Sequence, residues 1–91
     1  MIADSQLIPL DTRESIDAYV SEGLETGGFL RAVLENNLME AMGRADAHNL
    51  EALPHICAYV YNEIPSACHG APSIVRAWLE RKAKEREVKT T

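Results

Sequence analysis

Thr26, Gly27 and Gly28, with Arg31 one turn further on, form the grouping in this chain best suited to hold an anion. Adjacent glycines at a helix start leave backbone N–H groups open to close approach, and a helix N-terminus carries partial positive charge. Arg13, from an earlier helix, supplies a second cation in this reading. Asn37, Tyr59, Asn62 and Trp78 complete the candidate ligand-binding set, with a tyrosine or the indole stacking on a ring. Each has a structural alternative. The glycines would let one helix pack closely on another, Asn37 would cap backbone or reach an interface, and the tyrosines would be core residues with satisfied hydroxyls. The GxxxxGK[ST] pattern of a phosphate loop is absent.

Metal or nucleophilic chemistry finds less support. His55, Cys57, Cys68 and His69 are zinc-ligand types, but they lack the paired spacings of zinc sites. His55 and Cys57, two apart on a helix, point about 200° away from each other. Cys68 beside His69 is the one nucleophile–base candidate, and no third orienting group is identifiable. The expectation is therefore a non-enzymatic protein with no metal and no cofactor.

The net charge of -5 argues against nucleic acid as a partner. Residues 1–70 carry eleven acidic and three basic side chains, and residues 71–91 carry three acidic and six basic. No signal peptide or membrane-length apolar run is present in these 91 residues, which reads as cytoplasmic. Two cysteines are too few for a secreted disulfide framework.

The elements that must position these residues read as all-α: a compact bundle of about four short helices, expected to be a homo-oligomer because so short a chain buries limited surface. Residues 1–10 are expected to be extended, with Leu7, Ile8, Pro9 and Leu10 packing across the body or onto a neighbouring chain. A helical domain then covers residues 11–79. Asp11 and Glu14 form a capping-box pattern, Ile16, Tyr19 and Val20 share a stripe, and Gly23 stops the first helix. Thr26 is the next cap candidate. Phe29, Leu30, Val33, Leu34, Leu38, Ala41 and Met42 then predict one continuous central helix ended by Gly43.

Asp46 or Asn49 caps the third helix, whose stripe is Leu50, Leu53, Ile56, Cys57, Val60 and Ile64. Pro54 requires either a later start or a distorted first turn, and Pro65 stops the helix. Residues 65–72 read as a loop, and Pro72 fits the first position of a helix burying Ile74, Val75, Trp78 and Leu79. Residues 80–91 form a charged tail expected to fray.

Four stretches, IPLDTRESIDAYVSEG, GGFLRAVLENNLMEAMGRAD, N-x3-LP-x-ICAYVYNEIP and C-x-G-x-P with the following AW, resemble a family of small helical proteins carried by tailed phages and prophages. The GGFLxAVLxN and YNxxPxxCxG patterns carry the resemblance, which spans about residues 8–79. Members often have Asn-Asp where this chain has Asn36-Asn37, and a bulky aromatic where it has His69. The resemblance implies an accessory, anti-defence type of protein in the host cytoplasm. The expected activity is sequestration of a small anionic host ligand, a signalling nucleotide, by a homo-oligomer. The alternative is an acidic inhibitor that binds a host defence nuclease or effector complex.

Overall fold

Hydrophobic residues at helical spacing, punctuated by glycine, proline and capping side chains, fold this chain entirely into helix and loop among the described residues. The computed structural model describes the backbone of residues 4–90 and the side chains of residues 6–87. Helix α1 spans Leu10–Glu22, α2 Gly28–Leu34, α3 Leu38–Arg44, α4 Ala47–Glu63 and α5 Pro72–Thr90. Single 3-10 turns, Asp4–Leu7 and Ser66–Cys68, precede α1 and α5. No helix among the described residues is long and apolar enough to cross a membrane.

The described residues form five α-helices rather than four, because the expected central helix divides at Asn36 and Asn37. Asn36 takes a left-handed conformation, φ 62°, and Asn37 accepts a 3.3 Å hydrogen bond from the Glu40 N–H as the cap of α3. Asparagine tolerates the left-handed region and caps well, so local turn chemistry overrides the continuing apolar period. The division changes what the period buries. Leu30 and Leu34 of α2 are in the core, whereas α3 buries Ala41 and leaves Leu38 and Met42 half exposed.

Two helix starts also differ from the sequence reading. The first helix begins at Leu10 behind Pro9, so Asp11 lies inside the first turn and does not cap it. There its carboxylate faces the positive end of the helix dipole. The cap of α2 is Gly27, and Thr26 instead donates its hydroxyl to the Gly27 carbonyl. Of the two caps the sequence offered for α4, Asp46 takes the role, accepting a 2.8 Å hydrogen bond from the Asn49 N–H. Pro54 sits inside an unbroken α4 on its exposed side, where the Leu50 carbonyl it leaves unpaired can turn to water.

Both ends of the described chain are more ordered than the sequence suggested. The N-terminal segment, expected extended, winds into the Asp4–Leu7 turn, packs against α4 and buries Ile8; residues 1–3 lie outside the described residues. Residues 80–90, expected to fray, continue α5. Lys82 lies against Gly23 at the C-terminus of α1, and Arg86 donates to the Glu22 carbonyl. Arg86 thus meets the negative end of the α1 dipole, while Lys82 packs its methylene stem on Gly23 and turns its ammonium to Glu85 at 3.3 Å.

The core joins Ile16 and Tyr19 of α1, Leu30 and Leu34 of α2, Ile56 and Val60 of α4, and Val75 and Trp78 of α5. Ile8, Ile64 and Cys68 close it from the connecting segments.

Candidate functional site

Arg31, the cation expected to hold an anion at the start of α2, is already paired within the protein. Arg31 pairs with Glu35 at 2.7 Å and with Glu25 at 3.4 Å. Its hydrogen bond to Glu35, followed by the attraction of both carboxylates, raises its pKa despite partial burial. A Cβ on Gly28 would lie 2.9 Å from the Arg44 guanidinium, the far end of an exposed side chain that can swing aside. The close neighbour is therefore a side chain of α3 rather than helix α1. Gly27 has nothing within 4 Å of a Cβ position. Helix α2, seven residues long, adds only a short dipole.

The remaining candidates are dispersed. Arg13 lies beside the Asp17–Tyr59 pair, and its Nε is buried without a hydrogen-bond partner among the described residues. Tyr59 donates a 2.6 Å hydrogen bond to Asp17. Burial first, and that hydrogen bond second, push its phenol up to about 12. Trp78 is 9% exposed, and its indole N–H donates to the Tyr19 carbonyl at 3.0 Å. Arg81 and Lys82 lie 5.4 and 5.0 Å from the centre of its ring. Such an indole is a buried brace with cations against it, not a stacking platform. Asn37 is spent as the α3 cap.

Asn62 of this set lines a sizeable cleft. This cavity, about 540 Å³, lies between the end of α2, the second half of α4 and the loop after Cys68. Val33, Cys57, Ala58 and Val60 make its apolar wall. Asn36, Tyr61, Asn62, His69 and Gly70 supply the polar groups and backbone. Among the described residues, no lysine, arginine, aspartate or glutamate lines it.

The cleft wall is held by specific local chemistry. Gly70, at φ 125°, occupies a conformation that disfavours side chains. Its N–H donates to the Leu34 carbonyl at 2.8 Å and ties the loop to the end of α2. Asn36 emerges next to that carbonyl in its left-handed turn. Below the loop, the buried Tyr19 hydroxyl donates to the Cys68 carbonyl at 2.8 Å. Asn36 and Asn62 each present a donor and an acceptor, and Tyr61 is 80% exposed at the rim.

Thiol chemistry has no foothold at this site. Cys68 is fully buried, and burial raises its pKa against the opposing pull of Lys82 and Arg81. Burial likewise raises Cys57. Both therefore stay protonated thiols at neutral pH rather than reactive thiolates. No cluster of three or more His, Cys, Asp or Glu suited to a metal exists among the described residues.

A second cavity of about 520 Å³ lies where the N-terminal segment crosses α1 and α4. Asp11, Asp46 and Glu51 line it with His48 and His55, and no lysine or arginine does. Thr12 and Asn49 join across its base through a 2.7 Å hydrogen bond.

Sequence reasoning missed Asn36, Tyr61, His69 and Gly70 as site residues, although a signal for them was present. The GGFLxAVLxN pattern ends at Asn36, and YNxxPxxCxG begins with Tyr61-Asn62 and ends at Gly70. The two patterns converge on one cleft. No protein-family model matches this chain, and no curated protein or solved structure matches it either.

Proposed function

We propose that this protein is a non-enzymatic binding protein, of the phage accessory type suggested by its sequence patterns, that sequesters a small ligand in the α2–α4 cleft. The ligand's buried part is an uncharged planar ring, and the base of a signalling nucleotide is such a ring. The single observation carrying this reading is the convergence of the two sequence patterns on a cleft with an apolar wall, two carboxamides and a rim tyrosine. Ligand pockets combine an apolar lining with a few orienting polar groups in this way. The uncharged lining favours recognition of the ring over recognition of phosphate.

A thermal-shift series with nucleosides and the corresponding mono- and cyclic nucleotides tests it. A ligand at tenfold excess over its Kd stabilises by about 1.4 kcal/mol, which raises the Tm of a domain this size by roughly 5–10 °C. Nucleosides and nucleotides giving equal shifts, abolished by Asn62→Ala with Tyr61→Ala, support ring recognition. No shift with any member overturns it.

The acidic cavity favours a second reading, an inhibitor that occupies a basic channel of a host defence nuclease or effector complex. Asp11, Asp46 and Glu51 in a groove without lysine or arginine complement a cationic surface. Such a complex dissociates at high salt and with the Asp11→Asn, Glu51→Gln pair. A host partner retained under both conditions contradicts this reading.

A further inference from the structure

The polar groups around the α2–α4 cleft are not equivalent. Asn36, Tyr61 and Asn62 stand exposed to solvent, whereas His69 is half-buried. The other half-buried polar group of the lining is the Cys57 thiol, which stays protonated and is a weak donor. Among the described residues the His69 imidazole makes no hydrogen bond or ion pair, so its hydrogen-bonding capacity is unspent. The backbone fixes this ring from both sides. Cys68, before it, is fully buried, and its carbonyl accepts from the Tyr19 hydroxyl at 2.8 Å. Gly70, after it, donates its N–H to the Leu34 carbonyl at 2.8 Å. Between these two anchors His69 is extended, at φ -153° and ψ 164°. With its neighbours tied to α1 and α2, the residue needs little ordering when a ligand arrives.

We propose that His69 is the specificity-determining residue of the cleft, selecting rings with an exocyclic amine or carbonyl over rings with neither. The selection presupposes that the cleft is the ligand site, as proposed for the function. A neutral imidazole carries one donor and one acceptor, so it pairs with an amine through one nitrogen or with a carbonyl through the other. Asn36 and Asn62, being exposed, recover water when a ligand offers them no partner, and therefore discriminate weakly. A half-buried group covered by a ring without a matching edge loses its water and gains nothing. That penalty rejects the ring. The carboxamides thus strengthen the binding of any base, and His69 decides which base is held.

Titration calorimetry of the full chain at about pH 7.5, where an ordinary imidazole is mostly neutral, tests this with three uncharged nucleosides. They are adenosine, inosine and purine riboside, the last without an exocyclic group on its ring. The unaltered protein is expected to bind adenosine and inosine about three- to tenfold more tightly than purine riboside, the worth of one hydrogen bond. His69→Phe, which keeps an aromatic ring there, is expected to bring all three to the purine riboside value. His69→Leu is expected to remove the ratio likewise, and circular dichroism follows the fold of each variant. Asn62→Ala is expected to weaken all three and leave their ratio unchanged. Equal binding of the three nucleosides by the unaltered protein overturns the assignment to His69. So does a ratio that survives His69→Phe and His69→Leu, or one that Asn62→Ala abolishes. If none of the three binds, the cleft itself is not the ligand site, and the selection falls with it.

Discussion

Tyr19 works at both of its ends. Its hydroxyl donates to the Cys68 carbonyl, while its own carbonyl accepts from the Trp78 indole and from the Gly23 N–H. One buried residue thereby couples the loop beside the cleft, helix α5 and the end of α1. Tyr19→Phe leaves the Cys68 carbonyl without that donor and is expected to cost about 1–3 kcal/mol, measured by urea denaturation. Amide exchange of residues 65–71 should quicken with it. Tyr59 offers a pH prediction at the same scale. Its folded-state pKa is raised from 10.0 to about 12, so folding favours the neutral phenol. That contribution is fully present below pH 10 and is lost as the pH rises through about 12. Urea denaturation across this alkaline window should show a stability loss that becomes shallower in Tyr59→Phe.

At the scale of elements, two left-handed residues decide how the helices end. Gly23 closes α1 at φ 70°, and a methyl group there would also overlap Lys82 of α5. Gly23→Ala is expected to destabilise by more than ~1 kcal/mol through the backbone alone. It should also release the second half of α5, seen as faster amide exchange over residues 80–90. Asn36 sets the α2–α3 break. Asn36→Gly should be tolerated, whereas Asn36→Val should cost about 1–2 kcal/mol in thermal or urea unfolding. Equal stability of the two variants would show that the turn does not depend on this conformation.

These ends also mark what was legible in the sequence. Gly23, Asp46, Pro65 and Pro72 act within a few residues of themselves, so each could be read locally. The stripe Leu50, Leu53, Ile56, Cys57, Val60 and Ile64 was mostly legible: Leu53, Ile56, Val60 and Ile64 are buried, whereas Cys57 is half-buried and Leu50, in the first turn of α4, is 46% exposed. The break at Asn36 was hidden because Leu34, Leu38, Ala41 and Met42 continue the period across it. The docking of α5 was hidden because the Lys82 stem packs on Gly23 and Arg86 reaches the Glu22 carbonyl, about sixty residues earlier.

For the whole molecule, the candidate site lay in the same blind region. Arg13, Thr26, Gly27, Gly28 and Arg31 drew attention because their chemistry suits an anion in isolation. Folding ties Arg31 to two carboxylates and sets Arg44 over Gly28. Asn36 and Tyr61 stand twenty-five residues apart and share a cleft only through tertiary packing. The sequence patterns named both stretches, but not their meeting. The charge distribution has a similar history. The basic C-terminal residues read as solvent-exposed, yet Lys82 and Arg86 help hold α1 and α5 together.

The claim that matters most is that ligand enters the α2–α4 cleft and not the glycine-rich start of α2. Amide chemical-shift mapping by NMR, with a nucleoside and then its nucleotide titrated into the labelled protein, separates the two directly. Perturbations are expected to be confined to residues 33–36, 57–62 and 69–70, and to be lost in Asn62→Ala with Tyr61→Ala. Perturbations centred on Arg13 and residues 26–31, or none with either titrant, would contradict that claim.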